Sequence, residues 1–281
     1  MKLFCIVVLA ILLDVFDGAN GHGKHPEIKR NKTEISPAGR VYGGYLVRQD
    51  DPQRQGFTVR ITYYLHGTTA DDACSGAIIT SEWVIATAWC LEAPNSDDTF
   101  DVRITDLQGT RWQTTLTETV LNPDYDSNTL VNNIGMGKVA DPYTFNDYLF
   151  PVSEGGTDWY NDYFTGEKLN FCGYEDVYTV DTYLIEEPTC NTFVPWNRRR
   201  CEAAGLDLTS TEFCAASSDY TIVAGCYYDF GAVLVYYDPT DGTSYAYGLA
   251  SYTTPNVCTK GPTAYLNLVY YNAWIESVLS D

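Results

Sequence analysis

Alternation of apolar and polar side chains is the main structural signal in this sequence. In the clearest run the apolar residues occupy every second position, at Phe57, Val59, Ile61 and Tyr63. A period of two is typical of a β-strand that buries one face. Similar runs predict further strands over residues 102–104, 112–121, 178–185, 232–237 and 245–251.

Helical patterns are confined to two stretches, residues 196–204 and 272–279. Turn residues separate the short strands, and the chain shows no internal repeat. The fold class is therefore predicted to be mainly β, with antiparallel sheets. A length of 281 residues is enough for a core that folds without a metal or a partner chain.

The charge of the chain limits its partners. It carries 37 acidic and 17 basic residues, for a formal net charge of -20. A surface of this sign repels phosphate backbones and anionic lipid headgroups, which argues against nucleic-acid binding and against membrane association. Two interpretations of the acidity remain open: it attracts basic partners, or it only keeps the protein soluble.

The N-terminal residues resemble an export sequence. Residues 1–21 are typical of a signal peptide, with Lys2 before a short apolar run and small residues where cleavage is expected. Residues 22–40 are predicted to be a propeptide-like leader with a glycosylation sequon at Asn31. Loss of the signal removes Cys5 from the nine cysteines, and the even remainder predicts four disulfides in a secreted, extracellular protein.

Six blocks resemble, in order, the trypsin/chymotrypsin-like serine proteases. They begin with RVYGG, where that family has its activation cleavage site, and CSGAIITSEWVIATAWC, where it has the segment ending at the catalytic histidine. NNIGMGKV resembles the segment of the catalytic aspartate, and CYYDFGA that of the nucleophilic serine. GLASY and YYNAWI match the strand beside the specificity pocket and the terminal helix.

The resemblance implies a fold and a domain layout. We expect two six-stranded antiparallel β-barrels followed by a C-terminal helix. The trypsin-like domain spans residues 41–281, with barrel one at about 41–150, barrel two at about 151–270 and the helix at about 272–280. In this family Arg40 would be the cleavage site, and the freed Val41 would pair with Asp229.

The resemblance also implies that all three catalytic positions are substituted. Trp89 stands where the family has its histidine, Asn133 where it has its aspartate, and Phe230 where it has its serine. A phenyl ring has no atom to attack a carbonyl, and an indole nitrogen only donates. Loss of the nucleophile or the base costs roughly 10⁶-fold in rate. The sequence predicts a pseudoprotease without enzyme activity.

The substrate-binding positions differ from the family as well. Tyr228 replaces the glycine whose N–H helps to form the oxyanion hole, which restricts the backbone there. Thr253 and Thr263 replace glycines of the pocket walls, and Ala224 lies at the pocket base where trypsins carry aspartate. Random substitution at a site that no longer needs to bind substrate would explain the two threonines equally well.

The resemblance implies three disulfides, and the remaining two cysteines form the fourth pair. The expected bonds are Cys74–Cys90, Cys201–Cys214, Cys226–Cys258 and Cys172–Cys190.

A different catalytic centre would need other residues. Residues 41–281 contain one histidine, His66, which we expect in a solvated turn beside Gly67. No hydroxyl motif lies near it in the sequence, and the domain lacks the clustered histidines of a metal site. We therefore expect no cofactor and no metal, and an unconventional serine-type hydrolase is the least favoured alternative.

The pattern of losses points to a subgroup of the family. A signal, a short leader without cysteines, one protease-like domain and a fully substituted triad are similar to the inactivated serine protease paralogues of parasitic scabies mites, relatives of the group 3 mite allergens. That resemblance implies a secreted monomer that binds host proteins, namely complement components or other defence proteins, and so damps complement activation. The alternative is a decoy that regulates active sibling proteases or their inhibitors.

Overall fold

The computed structural model describes residues 45–46, 55–67, 69–156, 168–174, 188–218, 229–253 and 261–280. Six strands form a first closed barrel, in the order β2, β3, β4, β7, β6, β5. These strands are β2 Thr58–Leu65, β3 Thr69–Ile78, β4 Trp83–Ala86, β5 Thr99–Thr105, β6 Arg111–Leu121 and β7 Gly135–Val139. All of their pairings are antiparallel.

A second ring of six antiparallel strands closes because β10 pairs with both β9 and β11. It consists of β9 Leu169–Gly173, β10 Thr189–Trp196, β11 Glu212–Ser217, β12 Val233–Asp238, β13 Thr243–Thr253 and β14 Thr263–Asn267. Two short strands flank it: β1 Tyr45–Leu46 pairs with β10, and β8 Ser153–Glu154 runs parallel to β13. The predicted class, two six-stranded barrels with a C-terminal helix, is confirmed.

Three α-helices occur among the described residues: α1 Ala88–Leu91, α2 Arg198–Ala203 and α3 Asn272–Ser280. The start of α2 was predicted two residues too early, because Trp196 is still part of β10. Asn197 ends that strand, and its side-chain oxygen accepts a hydrogen bond from the N–H of Arg200, which caps the helix. The four-residue α1 was not predicted, since it is too short to show a helical period. None of these helices is long and apolar enough to cross a membrane.

Strand β2 departs from the expected one-sided burial. Val59 and Ile61 are buried as predicted, but Thr58 and Thr62 on the other face are buried too. Thr58 is accommodated because its hydroxyl donates to Oε1 of Gln55 over 3.0 Å. Tyr63, expected inside, is only partly buried, because its hydroxyl reaches out to a surface carboxylate.

Aromatic rings fill the second barrel. Phe171 packs edge-on against Phe193 and Tyr265, with ring centroids 5.2 and 5.7 Å apart. Phe213 stacks on Tyr265 at 5.5 Å. All four side chains are shielded from solvent. The predicted strand at 178–185 lies outside the described residues, as do the signal and leader regions.

Candidate functional site

The structure brings the three substituted positions together. Trp89 lies on α1, Asn133 lies two residues before β7, and Phe230 lies three residues before β12 of the second barrel. The rings of Trp89 and Phe230 meet edge-on, with centroids 6.3 Å apart and an interplanar angle of 78°. Trp89 is partly exposed, whereas Phe230 is almost fully buried at 9%.

Asn133 joins the two barrels at this point. Its side chain is 1% exposed, and its Oδ1 accepts a hydrogen bond from the backbone N–H of Trp89 over 2.9 Å. Its Nδ2 donates to Oγ of Ser251, which lies on β13, over 3.0 Å. The N–H of Trp89 requires an acceptor, so the amide oxygen faces α1 and the amide nitrogen faces the second barrel. The uncharged side chain of Asn133 therefore links the two barrels.

The backbone around Phe230 is fixed by hydrogen bonds to both barrels. The carbonyl oxygen of Phe230 accepts from the N–H of Ser75 over 3.0 Å, and the N–H of Gly231 donates to the carbonyl of Ala250 over 2.8 Å. Gly231 has a φ of +88°, in the left-handed region that favours glycine. A Cβ there would also collide with the carbonyl oxygen of Ser75. Hydrogen bonds to both barrels and the conformation of Gly231 therefore fix the tight turn at residue 230.

Asp229 is completely buried next to this turn. Its carbonyl accepts from the N–H of Ala232 over 2.9 Å, and its carboxylate lies against Gly173, where any side chain would overlap it. Arg40 and Val41, the residues expected to activate the domain through Asp229, lie outside the described residues.

The pocket positions are only partly described. Thr253 and Thr263 are register partners on β13 and β14, so the structure places these two positions opposite each other. Thr263 is fully buried. Ala224 and Tyr228 lie outside the described residues, as does Asn31 of the expected glycosylation sequon.

Three of the four expected disulfides are present: Cys74–Cys90, Cys172–Cys190 and Cys201–Cys214. Cys74–Cys90 ties β3 to α1, the helix that carries Trp89. Cys172 and Cys190 are direct register partners on β9 and β10. Cys226 and Cys258 lie outside the described residues.

His66 is the one histidine within the described part of the chain, and it sits on the surface after β2. Its Nδ1 lies 3.0 Å from both carboxylate oxygens of Asp97, and its backbone N–H donates to Asp98 over 3.0 Å. The hydrogen bond and charge of Asp97 raise the pKa of His66 above its usual 6.5. The imidazole is thus engaged by a carboxylate. Nothing in the sequence indicated this contact, because 31 residues separate His66 from Asp97.

His66, Asp97 and Asp98 could in principle hold a metal, since their ligand atoms lie within 4.8 Å of one another. Asp98, however, already accepts hydrogen bonds from the hydroxyl of Tyr63 and from Asn95, in addition to the His66 N–H. A cation would have to displace these donors. The group is better described as a hydrogen-bonded link between two loops.

The site therefore combines a trypsin-like backbone with unreactive side chains at residues 89, 133 and 230. An indole N–H donates but takes no proton, a neutral amide does not stabilise an imidazolium, and a phenyl ring has no nucleophilic atom. A sequence model of the trypsin family matches residues 46–275, in agreement with the two-barrel fold. The chain belongs to the trypsin family.

Relatives in the family are distant but cover nearly the whole chain. Trypsin-3 of Salmo salar is 24% identical over 254 residues, which cover 86% of this chain and 94% of the trypsin. Trypsin V-A of Rattus norvegicus is 23% identical, with 86% and 90% covered. Melanization protease 1 of Drosophila melanogaster is 24% identical, with 91% of this chain and 73% of that protein covered.

Proposed function

We propose that this protein is a secreted, catalytically inactive trypsin homologue that acts by binding other proteins, and that its partners are complement components or other host defence proteins. The observation that carries the proposal is the cluster of Trp89, Asn133 and Phe230. The rings of Trp89 and Phe230 meet, and Asn133 accepts a hydrogen bond from the backbone N–H of Trp89. By the resemblance these are the positions of the family's reacting groups, and none of the three side chains can act as the general base or as the nucleophile that forms an acyl intermediate.

The hydrogen bonds of the site support inactivity further. An active triad needs an anionic side chain that orients an imidazole. Here the side chain at residue 133 is an amide that is already engaged by a backbone N–H and by Ser251. The imidazole of His66 is held by Asp97 on the surface, and no hydroxyl group among the described residues hydrogen-bonds to it. An unconventional serine-type hydrolase therefore gains no support.

Retention of the scaffold supports a binding role. The buried Asp229, the left-handed Gly231 and three disulfides all keep the trypsin-like backbone in place. Disulfide-rich domains of this family are typical of secreted proteins. A rigid scaffold that does not catalyse a reaction can still position surface loops for binding to another protein. The similarity to inactivated mite paralogues then suggests complement as the target.

Capture from host plasma tests this function. The purified full chain is immobilised, incubated with plasma at physiological salt, and the retained proteins are identified. We expect complement components to be retained and the same protein in solution to inhibit complement activation in a haemolysis assay. Retention of protease inhibitors or sibling proteases instead would indicate the decoy role. Recovery of no defence protein, with no effect on haemolysis, would refute the proposal.

A further inference from the structure

We draw no further inference here: the strongest candidate, the cluster of His66, Asp97 and Asp98 between the turn after β2 and the loop after α1, consists of surface side chains held by hydrogen bonds within the cluster, and nothing in the described part of the chain points to a ligand bound there.

Discussion

Asn133 links the two barrels through a side chain that carries no charge. Its amide accepts a hydrogen bond from α1 of the first barrel and donates one to Ser251 of the second. A carboxylate at this position would supply the negative charge that a protonated histidine requires, and the amide does not. The two hydrogen bonds give the residue a structural role that needs no charge.

Removal of the Asn133 side chain should destabilise the domain. Asn133→Ala leaves the buried N–H of Trp89 without its acceptor, and we expect a loss of about 2 kcal/mol in the free energy of unfolding. Ser251→Ala should cost about 1 kcal/mol, because only one of the two bonds is lost. Denaturant titrations of both variants and of the double variant check this. Strict additivity of the two losses would contradict a direct interaction.

Gly231 and Gly109 form a matched pair for backbone strain. Both have left-handed φ values, +88° and +83°, but a Cβ at Gly231 meets the carbonyl of Ser75, whereas one at Gly109 meets nothing within 4 Å. We expect Gly109→Ala to cost about 1–2 kcal/mol, from conformation alone. Gly231→Ala should cost clearly more, because overlap is added to the same strain. Equal melting temperatures for the two variants would show that the turn at Phe230 relaxes freely.

At the residue level the sequence identified the positions but not their partners. The resemblance of six sequence blocks to the protease family placed Trp89, Asn133 and Phe230 at one site, and the structure brings them together. The bond from Asn133 to Ser251 could not be derived, since 118 residues separate the two and a single polar residue in a strand carries no sign of its partner. The fixed position of Asp98 was hidden for the same reason.

At the scale of the elements, a contact between His66 and Asp97 links the turn after β2 to the loop after α1, and it depends on the protonation of His66. His66 meets Asp97 and Asp98 there, and Asp97 raises its pKa above 6.5. A raised folded-state pKa means that the contact stabilises the fold fully below pH 6.5 and is lost as the pH rises through the raised pKa.

The pKa of His66, followed by NMR, should therefore lie above 6.5 in the wild type and fall towards 6.5 in Asp97→Asn. His66→Gln assigns the resonance among the three histidines of the chain. An unchanged pKa in Asp97→Asn would mean that the contact is absent in solution.

The bond between Cys172 and Cys190 connects directly paired strands of the second barrel, 18 residues apart in sequence. Replacing both cysteines by alanine should lower the free energy of unfolding by about 3 kcal/mol in the chain-entropy model. Chemical denaturation of the double variant beside the wild type measures the loss. A variant as stable as the wild type would show that the hydrogen bonds between β9 and β10 are enough to hold these two strands together.

Alternation predicted strands even from short runs, since residues 102–104 lie within β5, whereas the short helix α1 was missed. The runs over residues 112–121 and 245–251 became β6 and β13 because alternation over many positions leaves little choice of structure. Helix α1 has only four residues. The Cys74–Cys90 disulfide and the hydrogen bond to Asn133 hold it in place, and both join residues that are far apart in the sequence. Local sequence does not encode such contacts.

At the scale of the whole molecule, the described residues form two closed barrels that meet at Trp89, Asn133 and Phe230. Each barrel is closed, and hydrogen bonds at residues 75, 133 and 230 connect the two barrels. These features belong to the segments that resemble the protease family. The fold was therefore predictable from the resemblance. The contact of His66 with Asp97 was not, because it joins two loops that are 31 residues apart in the sequence.

The central claim is that this trypsin fold has no reactive serine. The most direct measurement is intact-mass spectrometry of the chain, cleaved after Arg40, following incubation with a fluorophosphonate, which phosphonylates the activated serine of trypsin-like enzymes with loss of fluoride. We predict no added mass on this protein, while an active trypsin in the same tube is fully labelled. Stoichiometric labelling of the chain, with hydrolysis of a peptide library that the label abolishes, would contradict the account.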